Sequence, residues 1–172
     1  AAEGCDVIAH YNSGDISEAR KICEEAGVGF TAFKADLSDE KQVYELAKKI
    51  NECGDIYGLV NNAGVCIFED FLETPAENFD FMFDVNIKAP FILTQQIAKQ
   101  MRDRGIKGRI VNFSSITAIS ASATQVHYGA AKGAVASFTR MAADALGKYG
   151  ITVNGVMPGP IPTKHNSEYL AE

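Results

Sequence analysis

The 172 residues match the length of one ordinary domain, and with 47% hydrophobic and 22% charged residues they can supply a real core. The formal net charge of −6 is spread along the chain, which excludes the basic face that non-specific nucleic-acid binding needs. No apolar run approaches the roughly 20 residues of a membrane-spanning helix, and four scattered cysteines without a Cys-x-x-Cys pair make no disulfide framework, so ordinary thiols in a reducing cytoplasm are expected.

Taken in chain order, short apolar runs alternate with amphipathic stretches, the pattern of βα units around a parallel sheet. Residues 5–11 read as a strand and residues 12–15 as a turn into a helix over 16–26, stopped by Gly27. Residues 28–34 form the next strand. Ser38 is placed to cap a helix that carries Asp39 and Glu40 in its first turn and runs to about Cys53, before Gly54. Residues 56–60 are a third strand that ends in Asn61-Asn62-Ala63-Gly64. Thr74 and Pro75 read as a cap with proline at the first helical position, opening a long helical region to about Asp103 with a bend near Pro90. Arg109–Phe113 is the fourth strand, residues 114–124 a small polar loop, residues 125–146 an Ala-rich helix, and residues 151–157 the fifth strand. The chain shows no repeat, linker or internal boundary, so residues 1–172 are expected to form a single domain. The opening Ala1-Ala2-Glu3-Gly4 has neither the basic nor the apolar region of a secretory leader.

The chemistry concentrates around Tyr128. Lys132 follows it by four residues, so the phenol and the ammonium share one helical face. Ser115 directly follows the Arg109–Phe113 run, at a strand's carboxyl end, where ligands collect in open α/β sheets. A hydroxyl there, facing a Tyr–Lys pair, suits proton transfer at a carbonyl or alcohol oxygen. Spacing alone is weak, because Tyr44 and Lys48 repeat it and Thr31 repeats the offset of Ser115. That second set is expected to be structural: its helix turns Val43, Leu46, Ala47 and Ile50 inward, and Thr31 lies within a strand. The histidines His10, His127 and His165 are too scattered for a metal site, and His127 is expected to be a wall residue at most.

In order and separation, Asp36-Leu37, Asn61-Asn62-Ala63-Gly64, Asn86 in Asp84-Val85-Asn86, Ser115, Tyr128 with Lys132, and Pro158-Gly159 followed by Ile161 and Thr163 resemble the classical short-chain dehydrogenase/reductase family. The resemblance implies a Rossmann-like, doubly wound parallel sheet in three α/β/α layers, incomplete at both ends. The family's opening strand and Thr-Gly-x-x-x-Gly-x-Gly turn, which hold the cofactor pyrophosphate at a helix N-terminus, are not in this stretch, and neither is its last strand. The chain therefore reads as an internal fragment. Expressed alone, it is expected to fold poorly and to be nearly inactive, because a central strand would be lacking and two sheet edges would lie open.

The resemblance further implies hydride transfer between a nicotinamide and a carbonyl or alcohol carbon. Tyr128 would be the acid/base. Lys132 and the positive nicotinamide ring would lower its pKa, Lys132 would also bind the ribose hydroxyls, Ser115 would hold the substrate oxygen, and Asn86 would help hold a water leading from Lys132 to solvent. A phenolate near pH 7, against a free phenol near 10, requires roughly 4 kcal/mol of differential stabilisation. Asn62, Ala63 and Gly64 would lie along the adenosine half of the cofactor, with Asn61 bracing strands. Asp36 and Leu37 would reach the adenine, Pro158 and Gly159 would shape a turn beside the cofactor, and Ile161 and Thr163 would meet the carboxamide. No acid ends the first strand at His10-Tyr11-Asn12-Ser13, which favours NADP(H) over NAD(H). The substrate reading is 3-oxoacyl-carrier-protein reduction, with Arg102, Arg104, Lys107 and Arg109 as a docking patch. The alternatives are a sugar or polyol, suited to the small polar wall of Ala118, Ser120, Ser122 and Thr124, and a non-catalytic scaffold. Apolar residues over 79–101 and 125–146, including Phe83, Ile87, Phe91, Phe138 and Met141, are expected to form a homodimer or homotetramer interface.

Overall fold

A computed structural model describes residues 1–161; Thr163 and His165 lie outside the described residues. Five parallel strands alternate with helices: β1 (Val7–Tyr11), α1 (Ser17–Glu25), β2 (Phe30–Lys34), α2 (Glu40–Glu52), β3 (Gly58–Asn61), α3 (Ala76–Phe83), α4 (Ala89–Asp103), β4 (Arg109–Phe113), α5 (Val126–Gly147) and β5 (Thr152–Val156). The architecture is the expected Rossmann-like α/β arrangement, but its strands form two sheets. β1 pairs with β2, from Val7 opposite Phe30 to Tyr11 opposite Lys34. β3, β4 and β5 pair in that order, with Asn61 opposite Asn112 and Asn112 opposite Gly155. Among the described residues no strand joins the two sheets, and Val60 of β3 is 61% exposed.

Helix α4 joins the two sheets through the core. Ala89, Ile92 and Leu93 pack with Leu37, Val43, Leu46 and Val85 beside the first sheet. Further along, Ile97, Ala98 and Met101 pack with Ile110, Ala142, Ile151 and Val153 beside the second. Packing over the β4 end is close enough that a Cβ on Gly108 would collide with the Met101 thioether. α1 and α2 end where glycine follows: Gly27 has φ +70° and Gly54 φ +124°, backbone that L side chains rarely adopt.

Three local expectations are corrected. The cap of α2 is Asp39, whose carboxylate accepts from the Lys41 and Gln42 amides, while Ser38 instead donates its hydroxyl to Asp36. Asp39 occupies the position directly before Glu40, from which a side chain reaches the N2 and N3 amides, while Ser38 lies one residue too early. Pro75 occupies the cap position before Ala76, and the Thr74 hydroxyl turns back to the Asp70 carbonyl at 2.9 Å. The bend assigned to Pro90 is a π-helical turn, Asp84–Lys88, placed just before it, with the Ala89 amide bonded to the Asp84 carbonyl five residues back. Pro90 follows in the first turn of α4, where its missing N–H costs nothing.

Candidate active site

At the carboxyl ends of β3, β4 and β5 a cavity of about 270 Å³ is lined by Asn62, Gly64, Val65, Cys66, Phe113, Ser114, Ser115, Tyr128, Lys132, Pro158 and Gly159. The chain brings Ser115, Tyr128 and Lys132 to it by two devices. Ser114 anchors β4 to β5 through its amide on the Val156 carbonyl, and its hydroxyl holds the Lys132 carbonyl on α5 at 2.7 Å. Ser115 then begins a 3-10 turn, Ile116–Ala118, that rests against the start of α5, where a Cβ on Gly129 would lie 3.1 Å from the Thr117 carbonyl oxygen.

Lys132 is 4% exposed, and its ammonium donates to the Phe113 carbonyl at 2.9 Å and lies 5.7 Å from the centre of the Tyr128 ring. Burial lowers its pKa to about 8. Burial also raises the Tyr128 pKa, against a smaller lowering from the Ser115 hydrogen bond. The Lys132 ammonium donates to a backbone carbonyl, and desolvation of the Tyr128 phenolate outweighs the Ser115 hydrogen bond. Cys66, two residues past Gly64, accepts from the Gln125 amide at 3.2 Å, and burial pushes its thiol up.

Asn86 sits on the π-turn, 1% exposed. Its amide donates to the Val65 and Met82 carbonyls at 2.9 and 3.0 Å, and its oxygen accepts from the Val65 amide at 3.2 Å. The side chain is therefore occupied in clamping the loop after β3. Gly64 completes this corner, since a Cβ there would stand 2.8 Å from the Asn86 oxygen and 3.3 Å from the Lys132 nitrogen.

The other candidates divide. Asn62, Ala63 and Gly64 form an exposed shelf beside the cavity. Asn61 is buried and donates to Thr94 and Asn112 at 3.0 and 2.8 Å, the bracing role expected of it. Asp36 spends one carboxylate oxygen on the Ser38 amide and hydroxyl, and the hydroxyl bond holds its pKa below the usual carboxylate value. Leu37 is packed into the core, so only its main chain is open to a ligand. Pro158 and Gly159 line the cavity, and the Pro158 carbonyl accepts from the Ile116 amide. Ile161 is 60% exposed.

Tyr44 and Lys48 are excluded as a rival pair: Tyr44 is 44% exposed and Lys48 makes a surface ion pair with Glu52. His127 is 3% exposed and directed at Glu69, 3.2 Å away, rather than into the cavity. Sequence reasoning missed Val65, Cys66, Phe113, Thr117 and Gln125 around the site, for which proximity to Gly64, Ser115 and Tyr128 was the only signal. Two of the four basic residues of the expected docking patch are ion-paired. Arg102 pairs with Asp103 and Arg104 with Asp55, each at 2.7 Å, and Arg109 donates to the Lys107 and Gly108 carbonyls. No helix among the described residues is long and apolar enough to cross a membrane.

A nicotinamide nucleotide fits these residues. The buried Lys132 ammonium has three hydrogens and one hydrogen-bond partner among the described residues, and it opens on a shelf of small residues.

The family model described as short chain dehydrogenase matches residues 1–172. The L-rhamnose 1-dehydrogenase (NADP(+)) of Thermoplasma acidophilum is 39% identical, over 99% of this chain and 68% of its own length. The L-rhamnose 1-dehydrogenase (NAD(P)(+)) of Sphingomonas sp. is 35% identical, over 100% of this chain and 69% of its own length. Among solved structures, a gluconate 5-dehydrogenase from Burkholderia cenocepacia J2315 in complex with NADP and tartrate superposes with a TM-score of 0.89 at 27% identity, covering 99% of this chain and 68% of that one. The chain thus spans about two thirds of the length of these relatives.

Proposed function

The chain belongs to the short-chain dehydrogenase/reductase family of NAD(P)-dependent oxidoreductases, and from that premise we propose that it works on a sugar or polyol, interconverting an alcohol carbon and a carbonyl. The observation that carries this reading is the convergence of Ser115, Tyr128 and Lys132 on one cavity. Rhamnose and gluconate dehydrogenases among the relatives favour a polyhydroxylated substrate over the carrier-bound acyl chain. The self-paired Arg102 and Arg104 also leave little charge to dock an acidic carrier.

In oxidation, Tyr128 as phenolate takes the hydroxyl proton of the substrate while its carbon gives up a hydride. In reduction, the Tyr128 phenol returns that proton to the carbonyl oxygen. The bound nicotinamide supplies the hydride acceptor or donor. Ser115 donates a hydrogen bond to the substrate oxygen and fixes its position. Lys132 holds ribose hydroxyls with its remaining N–H groups, and Asn62, Ala63 and Gly64 let the nucleotide approach the β3 end closely. Asn86 serves this site by holding the loop that carries Gly64. Asp36, the Leu37 main chain, Pro158, Gly159 and Ile161 complete the nucleotide cradle.

NADP(H) is the favoured cofactor. Asn12 and Ser13 are exposed at the end of β1, and the nearby Asp15 spends its carboxylate on the Ser17 amide and hydroxyl. Among the described residues β1 itself ends without an acid, and Asp15, though ionised, is held at the start of α1 by these Ser17 bonds. The enzyme works in the cytoplasm, a setting that suits four unpaired cysteines. It assembles as a homodimer or homotetramer through one face: Phe83, Ile87, Phe91 and Phe138 line a common groove, with Phe91 and Phe138 rings 5.5 Å apart and Met141 63% exposed.

The test is an absorbance assay of NADP+ and NAD+ reduction with L-rhamnose, gluconates and linear polyols, alongside NADPH oxidation by a 3-oxoacyl thioester. Turnover of a sugar or polyol, lost by at least about 100-fold in Tyr128→Phe, is the expected result. Turnover of the thioester alone would return the acyl reading and overturn the sugar or polyol proposal.

A further inference from the structure

Thr117 has no part in the reading above, yet it controls the hydroxyl on which that reading depends. Ser115 Oγ receives two hydrogen bonds from this one residue. The Thr117 amide donates at 3.2 Å and the Thr117 hydroxyl at 2.9 Å. A serine hydroxyl has two lone pairs and one hydrogen. With both lone pairs occupied by Thr117, the hydrogen is the only function Ser115 has left, and Ser115, 8% exposed, lines the cavity with Tyr128. The hydroxyl–hydroxyl bond runs from Thr117 as donor to Ser115 as acceptor.

We propose that Thr117 is a positioning residue that locks Ser115 as a hydrogen-bond donor toward the substrate oxygen and the Tyr128 phenol. The inference rests on the dehydrogenase reading. A donor is what both directions require. A carbonyl oxygen accepts from Ser115 while Tyr128 delivers its proton, and an alcohol oxygen accepts from Ser115 while its own proton leaves to Tyr128. A serine free to rotate spends part of its time accepting, a state that helps neither. The chain of donors also polarises the Ser115 hydroxyl, making it a stronger donor than an isolated serine. The turn is held for this task from both sides, by the Ile116 amide on the Pro158 carbonyl and by the close seat of the Thr117 carbonyl over Gly129.

The experiment compares Thr117→Val, which keeps the shape and the amide but loses the hydroxyl, with Thr117→Ser, which restores it. Both are placed in the otherwise unaltered protein and in a Ser115→Ala background. Thr117→Val is expected to lower kcat about fivefold to tenfold, the worth of one hydrogen bond, with the KM for nucleotide unchanged, and Thr117→Ser is expected to recover most of it. In the Ser115→Ala background Thr117→Val is expected to add no loss. An equal loss in both backgrounds would mean that Thr117 acts independently of Ser115, and no loss in either would mean that it does not act; either result overturns the proposal. A second readout needs no turnover. The near-ultraviolet phenolate titration of Tyr128, taken as the difference from Tyr128→Phe, is expected to move upward in Thr117→Val, part of the way to its position in Ser115→Ala. A titration unmoved by Thr117→Val overturns the proposal. Where the protein turns over no substrate, the titration decides Thr117 by itself.

Discussion

Lys132 and Tyr128 have opposite relations to their own burial. The phenol is neutral at neutral pH and burial keeps it so, which makes Tyr128 ready to give a proton and reluctant to take one. Alcohol oxidation is therefore expected to accelerate as pH rises, and carbonyl reduction to slow, when initial rates are measured across a buffer series; a rate for oxidation that falls with rising pH would contradict this. The ammonium pays for its place. Moving its pKa from 10.5 to about 8 corresponds to roughly 3 kcal/mol against the charged form. Since the unfolded lysine keeps its proton longer, that cost is fully present below about 8 and is relieved as pH rises from there toward 10.5. Lys132→Met removes the cost but strips the Phe113 carbonyl of its donor, a loss of about 1–3 kcal/mol. The two effects nearly cancel. Thermal melts at pH 7 are expected to show little change in midpoint while activity disappears, and the unaltered protein is expected to gain stability relative to Lys132→Met between about pH 8 and pH 10.

At the scale of elements, the π-turn Asp84–Lys88 stands out because it rotates Asn86 into the loop after β3. One extra residue in the turn is a small defect in helical hydrogen bonding that π-turns at functional sites commonly carry. Here it lets the Asn86 side chain make three contacts to backbone at the corner where Gly64 and Lys132 meet. Asn86→Leu leaves the Val65 amide and carbonyl unsatisfied in that corner and is expected to cost about 2–6 kcal/mol, at 1–3 kcal/mol per buried orphan group, read as a lower urea midpoint. The same substitution is expected to raise the KM for nucleotide, because the loop it releases carries the shelf. A variant with native stability and native nucleotide affinity would show that the clamp is dispensable.

At the scale of the whole molecule, the exposed groove of α4 and α5 and the two separate sheets dominate. Phe91 is 47% exposed although its ring forms a tilted pair with that of Phe138. A phenylalanine pair left open beside Phe83 and Ile87 is the kind of patch that subunit association covers. Phe91→Glu is expected to reduce the mass measured by light scattering to that of a single chain. An unaltered protein that is already monomeric would refute the assembly. The unpaired edges of β1 and β3 are a different matter, because they present backbone donors and acceptors rather than side chains.

The sequence by itself determined the order of strands and helices, the parallel pairing and the Ser115, Tyr128 and Lys132 set. Each of these is written in local periodicity or in fixed spacing along one helix and one strand end. Arg109–Phe113 was legible to the residue because its apolar run is short and bounded by polar turns. The sign of the Tyr128 shift, the occupation of the Asn86 side chain, the neutralised arginines and the hold of Thr117 on Ser115 were decided only by the tertiary structure. Each depends on which atoms of distant segments meet, and on how little water is left between them once they have.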